Sequence, residues 1–268
     1  MKVVILAGGA GSRLSEETLL KPKPMVEIGN MPILWHIMRH YAHYGFTDFV
    51  IALGYKGEYI KKWFSDYAAL SGNLTFHLGK GIMEVESPEA LDWKVELIDT
   101  GLKTQTAGRI KRLRPYLGEE TFFMTFGDGV STINLWQQLE FHRRQGRLAT
   151  VTAVHPPARF GQLILEGDQV LEFTEKPLDQ SWINGGFFVM EPGVFDYVEG
   201  DHTDLKETLE RLATDRQLAA YRHEGFWQPM DTLRDKSYLE SLWESGKAPW
   251  KVWDESAREL ERHVFGRV

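Results

Sequence analysis

The sequence predicts an α/β fold: a Rossmann-like, mostly parallel sheet flanked by helices, with an additional β-rich portion toward the C-terminus. Three observations carry that expectation. Strands and helices alternate at short spacing through the first half, as βαβ units and a parallel sheet require. The first strand, Lys2-Val3-Val4-Ile5-Leu6, is a continuous apolar run of the kind buried on both faces. After Pro156-Pro157 the alternation stops, and two short strands flank Gly167-Asp168, a hairpin signal.

The elements follow in order. A glycine loop from Ala7 to Leu14 leaves the first strand, and Lys21-Pro22-Lys23-Pro24-Met25 follows, with the two prolines expected to hold Lys23 extended. Pro32 fits a first helical turn; Leu34, Ile37, Met38, Tyr41 and Tyr44 recur at helical spacing until Gly45. A buried strand spans 48–53 and a helix 57–68. Residues 70–95 are irregular, with a short strand at 74–78. A strand at 94–98, a helix at 107–117 and a strand at 121–126 ending in Gly127-Asp128-Gly129 come next. A helix from about 133 to 145 and a strand at 149–154 complete the first half. The hairpin strands 161–165 and 169–175, a strand at 185–190 and helices near 204–213 and 232–245 make up the second. No repeat, low-complexity segment or linker interrupts the chain. One domain over 1–253 is expected, nucleotide-facing mainly in 1–155 and substrate-facing mainly in 156–253, with a C-terminal tail at 254–268.

Composition narrows the function classes. A net charge of −7 disfavours broad nucleic-acid binding, which needs a basic surface. The absence of cysteine excludes disulfides, thiolate nucleophiles and thiolate metal sites. No apolar run approaches the ~18 residues of a membrane span, and the first strand begins at residue 2, so a cytoplasmic protein with neither leader nor membrane anchor is expected.

The chemistry concentrates in a few places. Gly8, Gly9 and Gly11 let backbone amides converge on an anion, and Arg13 and Lys23 add positive charge beside them. The spacing matches neither a P-loop nor a dinucleotide turn, which disfavours a nicotinamide enzyme. The guanidinium fork of Arg13 favours phosphate, so a nucleoside triphosphate is the expected ligand. Asp128 sits between glycines at the carboxyl end of a strand, where α/β ligands bind, with room for a hydrated Mg²⁺. Asp231 is either a second carboxylate for that metal or the N-terminal residue of the last helix. Glu175-Lys176-Pro177 pairs an acid with a base that could read a polyol phosphate. Gly161 and Asn184-Gly185-Gly186 are places where a ligand can approach the backbone, or simply turns. The nine histidines show no metal-ligand spacing.

Together these motifs resemble the sugar-1-phosphate nucleotidylyltransferases. Further stretches, among them Ser15-Glu16-Glu17-Thr18, Gly54-Tyr55-Lys56-Gly57, Arg159-Phe160-Gly161 and Trp227-Gln228-Pro229-Met230-Asp231-Thr232, are similar to the members that join CTP to glucose 1-phosphate. The resemblance runs to about Trp253. It implies the nucleotide-diphospho-sugar transferase fold, with the β-rich portion binding sugar. It also implies that Leu6, Ala7, Gly8, Gly9, Ala10, Gly11, Ser12 and Arg13 hold CTP, and that Thr104, Arg109, Gly127 and Asp128 contact the nucleotide. Arg13, Lys23 and Asp128 would serve the chemistry, and Asp128 and Asp231 would share Mg²⁺. Lys23, Gly161, Glu175, Lys176, Asn184 and Gly185 would receive the sugar phosphate. Ala107 stands where the family tends to have glycine, which bears on the preference for CTP. CDP-glucose and pyrophosphate would be the products. Uridylyl or thymidylyl transfer, and a non-catalytic nucleotide-sugar sensor, are the alternatives. Aromatic-rich helices and residues 70–95 leave surface for a homo-oligomer.

Overall fold

The computed structural model describes residues 1–9, 11, 14–70, 73–86, 91–157, 162–174 and 181–253. In chain order the strands and helices are β1 (Val3–Leu6), α1 (Ser15–Thr18), β2 (Glu27–Ile28), β3 (Met31–Pro32), α2 (Ile33–His43), β4 (Asp48–Leu53), α3 (Gly57–Leu70), β5 (Asn73–His77), β6 (Ile82–Glu86) and β7 (Lys94–Asp99). There follow α4 (Thr106–Arg112), α5 (Arg114–Leu117), β8 (Phe122–Phe126), β9 (Gly129–Ser131), α6 (Leu135–Gln145), β10 (Ala149–Val154), β11 (Gln162–Glu166) and β12 (Gln169–Thr174). The chain closes with β13 (Ile183–Met190), α7 (Leu205–Thr214), β14 (Leu218–Arg222), β15 (Trp227–Pro229) and α8 (Leu233–Glu244).

A seven-stranded sheet in the order β14-β10-β13-β8-β1-β4-β7 organises the molecule. β1 pairs in parallel with both β4 and β8, so its side chains alternate between two buried faces. Val3 and Ile5 join the core packed by α2, with Tyr41, Phe49 and Phe123; Val4 joins the opposite one, with Val50, Met124 and Phe188. The exception to parallel order is β13, antiparallel to both β10 and β8. An apolar run looks the same in either direction, so its sense was not visible in the sequence.

Four expectations change in detail. The helix expected over 107–117 divides into α4 and α5 at Leu113, because Pro115 has no N–H to continue the ladder. Pro32 precedes α2 as its extended N-cap rather than entering the first turn. Lys23 is not extended: it opens a 3₁₀ turn, Lys23–Met25, closed by Met25 N–H donating to Pro22 O at 2.8 Å. Pro22 takes the extended conformation instead (φ −67°, ψ 149°). The irregular segment holds a hairpin, β5 with β6, and β9 pairs with β15 through strands of three residues each.

Candidate active site

The carboxyl ends of β1 and β8 open into a cleft of about 690 Å³. Gly8, Gly9 and Gly11 form one wall, Leu102 to Thr106 another, and Lys23, Gly127 and Asp128 the floor nearest the sheet centre. A second cleft of about 260 Å³ lies on the β13 side, lined by Asn184, Gly185, Gly186, Trp227 and Asp231. Phe126 and Asp128 border both. Asp128 thus stands at the junction of two clefts, the arrangement needed to bring two substrates together.

Lys23 Nζ lies 2.7 Å from Asp128 Oδ2 and 2.7 Å from Asp231 Oδ1, and its side chain is only 8% exposed. Residues separated by 105 and 208 positions meet at one ammonium. The β9–β15 ladder brings the two acids close, because Gly129 pairs with Pro229 and Met230 N–H donates to Asp128 O at 2.8 Å. Asp231 does not cap α8; Thr232 is the N-cap, in a capping box with Asp235. Two carboxylates facing one ammonium leave the cluster short of a positive charge. Their donor set, hard oxygens on partly exposed side chains, suits Mg²⁺. Among the described residues no group of three or more His, Cys, Asp or Glu converges, so such an ion would complete its shell from phosphate oxygens and water.

Arg109 lines the same cleft but faces inward. Its Nη1 donates to Leu53 O (3.1 Å), Thr100 Oγ1 (2.8 Å) and Gly101 O (2.8 Å), and Nη2 reaches Leu102 O (3.4 Å). Burial lowers its pKa from the ordinary guanidinium value, with Asp99 opposing. The guanidinium also explains two glycines: a Cβ on Gly8 or on Gly54 would lie 2.4 Å from Arg109 Nη1. The sequence implied a nucleotide contact for Arg109. The geometry gives it four protein acceptors and makes it the prop behind the glycine loop.

The other expected residues divide as follows. Leu6, Ala7, Thr104 and Gly127 line the larger cleft, and Asn184 and Gly185 the smaller. Asn184 Oδ1 accepts from Gly186 N–H (2.8 Å), and Gly185 O accepts from Trp227 Nε1–H (2.7 Å), so this edge is set by its own hydrogen bonds. Ala107 is fully buried among Ile110, Leu205 and Leu212 rather than in a cleft. Ala10, Ser12, Arg13, Gly161, Glu175, Lys176 and the tail 254–268 lie outside the described residues. Sequence reasoning gave Tyr55 and Trp227 no role as lining residues, since each stood only inside a longer resembling stretch.

Comparison with known proteins fits this geometry. The profile of the nucleotidyl transferase family matches residues 2–244. Glucose-1-phosphate cytidylyltransferase of Salmonella typhi is 52% identical over 257 residues, which cover 95% of this chain and 100% of that protein. Mannose-1-phosphate guanyltransferase of Hypocrea jecorina is 33% identical over 262 residues, 92% of this chain and 66% of that protein. The crystal structure of HddC from Yersinia pseudotuberculosis superposes with a TM-score of 0.66 at 22% identity, over 90% of this chain and 99% of that one, a likeness of fold alone.

Proposed function

This chain belongs to the nucleotidyl transferase family, and on that premise we propose that it transfers the cytidylyl group of CTP to α-D-glucose 1-phosphate, giving CDP-glucose and pyrophosphate. The observation that carries the reading is Lys23 between Asp128 and Asp231 at the junction of two clefts. The choice of CTP and glucose is supported by the full-length likeness to the Salmonella typhi enzyme.

A phosphate oxygen of glucose 1-phosphate attacks the α-phosphorus of CTP; one P–O bond forms, the bond to the β-phosphate breaks, and pyrophosphate carries the electron pair away. Such a transfer needs alignment and charge neutralisation more than covalent help. The larger cleft holds CTP with its triphosphate along Gly8, Gly9 and Gly11. The smaller holds the sugar phosphate against Asn184 and Gly185. Asp128 and Asp231 would hold Mg²⁺, which supplies Lewis-acid polarisation of the phosphoryl oxygens when bound. Lys23, fixed by its 3₁₀ turn, neutralises charge where the two anions meet, with Arg13 adding to it. Glu175, Lys176 and Gly161 contact the sugar phosphate.

The reading has further consequences. An enzyme that consumes CTP belongs in the cytoplasm, where CTP is made; no helix among the described residues is long and apolar enough to cross a membrane. The hairpins β5–β6 and β11–β12 expose Phe76, Leu78, Leu171 and Phe173, which supports a homo-oligomer that covers them. Sedimentation equilibrium reads that part: a monomer at micromolar concentration would remove it.

Pyrophosphate release with glucose 1-phosphate and each of CTP, UTP, dTTP, ATP and GTP tests the function. CTP is expected to give the highest kcat/KM; comparable rates with all five would overturn the cytidylyl assignment.

A further inference from the structure

Asp235 is a buried acid outside both clefts, and its bonds run toward the candidate metal carboxylates. It is 9% exposed. Its Oδ2 accepts from Asp231 N–H (3.1 Å), Thr232 N–H (3.0 Å) and the Thr232 hydroxyl (2.9 Å), and its Oδ1 accepts from Gln228 Nε2 (3.2 Å). In return Asp235 N–H donates to Thr232 Oγ1 at 3.2 Å. A capping box needs only one of these carboxylate contacts, the one to the N-cap N–H. The bond to Asp231 lies one residue upstream of the cap, and the bond to Gln228 reaches back into β15.

The two extra bonds fix Asp231 from both sides. Gln228 pairs with Val130 in the ladder that delivers Asp128, and Asp231 sits two residues beyond Pro229, where that ladder ends. One carboxylate therefore ties the strand leaving the Asp128 side to the backbone that carries Asp231. α8 is itself anchored to neighbouring elements: Lys236 pairs with Glu17 on α1, the helix that follows the glycine loop, and Glu240 Oε1 accepts from Gly29 N–H (3.0 Å) in the turn between β2 and β3.

We propose that Asp235 is a positioning residue for the reaction. It sets the Asp231 backbone so that the Asp231 carboxylate converges with that of Asp128 on one cation. This rests on the reading of Asp128 and Asp231 as the Mg²⁺ pair. Without the carboxylate of Asp235, the N–H groups of Asp231 and Thr232 lose a shared acceptor, and the loop between β15 and α8 gains freedom where the metal must be gripped. An outer hydrogen-bond partner of a metal-gripping loop commonly controls affinity by about 10–100-fold.

The test measures Mn²⁺ binding by electron paramagnetic resonance of the full-length protein with CTP, beside the Mg²⁺ dependence of turnover, in wild type, Asp235→Ala, Asp235→Asn and Thr232→Ala. Asp235→Ala is expected to weaken Mn²⁺ at least about tenfold relative to wild type, and to raise the half-saturating Mg²⁺ concentration in parallel. The glucose 1-phosphate KM at saturating Mg²⁺ should move less than about twofold. Asp235→Asn, whose amide oxygen can still accept from Asp231 N–H while its NH2 loses the bond from Gln228 Nε2, should recover part of the affinity. Thr232→Ala removes the N-cap hydroxyl and should lower the melting temperature while keeping Mn²⁺ affinity near wild type. If Thr232→Ala and Asp235→Ala weaken Mn²⁺ equally, Asp235 is only a helix cap and the proposal fails. If Asp235→Ala binds Mn²⁺ as wild type does, the proposal fails while the metal pair stands. If wild type with CTP binds no Mn²⁺, the metal pair and the proposal fall together.

Discussion

Two buried cations border one cleft, and they differ in what holds them. Lys23, at the floor, is engaged by the carboxylates of Asp128 and Asp231, acids that a divalent ion or a phosphate can rearrange. Arg109, at the back wall, is engaged by three backbone carbonyls and a threonine hydroxyl, all neutral acceptors of the protein itself. A cation's place in a site is therefore told by the chemistry of its partners better than by its distance from the cavity. The floor is built to exchange partners; the back wall is built to stay.

The largest effect should come from the floor. Asp128→Asn is expected to lower kcat by about 10²–10³-fold, measured as CDP-glucose formed at saturating substrates, because a preorganised charge at the transferring phosphoryl group is lost. Near-normal turnover with excess Mg²⁺ would break the assignment of Asp128 to the metal. Lys23→Met sharpens the same point through stability. It leaves two carboxylates facing each other, so Mg²⁺ should raise the melting temperature of the variant more than that of wild type. Equal Mg²⁺ responses would mean that the ammonium and the metal do not share those acids.

The back wall should answer in folding first. Arg109→Lys cannot reproduce the planar fork, so buried acceptors go unpaired and the urea midpoint should fall by an amount worth about 1–3 kcal/mol. A variant as stable as wild type but unable to bind CTP would reverse the contrast and make Arg109 a ligand contact. Gly8→Ala is expected to raise the KM for CTP, with kcat less affected, because the new methyl displaces the Arg109 guanidinium and shifts the loop.

The last effect is in pH. His36 is held at about 4 and His40 at about 3, burial being the main cause for each. Trp250 Nε1–H donates to His36 Nδ1 (3.3 Å), which leaves Nε2–H to donate to Ile28 O (2.8 Å). Both histidines take up protons near 6.5 when unfolded, so between that value and their folded pKa the unfolded chain binds more protons. Stability is complete above about pH 6.5 and declines on acidification, by ~2 kcal/mol per histidine at pH 5. Chemical denaturation at pH 7 and pH 5 checks this; a midpoint unchanged between the two would remove the histidines from the account.

Legibility in the sequence followed the range of the forces. Ala149–Val154 and Asp48–Leu53 were readable because runs of β-favouring residues between turns leave little choice. β9 and β15 were not, since three-residue strands containing Gly129 and Pro229 owe their shape to each other. In the site, Gly8, Asp128 and Asn184 were visible as glycine-flanked or glycine-following positions at strand ends. The meeting of Lys23 with Asp231 across 208 positions was not legible at all; Asp231 was expected to pair with Asp128 alone. Arg109 shows the limit most clearly: its partners are mostly main-chain carbonyls, which carry no signature of their own in a list of side chains. Asp235 drew no reading of its own, because its link to Gln228 depends on where β15 lies.

The antiparallel seat of β13 has a consequence for how the chain is made. β8 and β10 are not neighbours until β13 enters between them, so a growing chain that has reached residue 157 carries a sheet with a gap one strand wide. Phe122 and Met124 of β8 then lack their companions Met190 and Phe188, and β10 has no strand on either side until β13 and β14 arrive. The chain up to residue 157 cannot finish folding ahead of the part that follows it. A ribosome-stalled chain extended by about thirty residues beyond Pro157, enough to bring β10 out of the exit tunnel, should be cut readily by protease within β8 and β10, and one extended by the same length beyond Met190 should not.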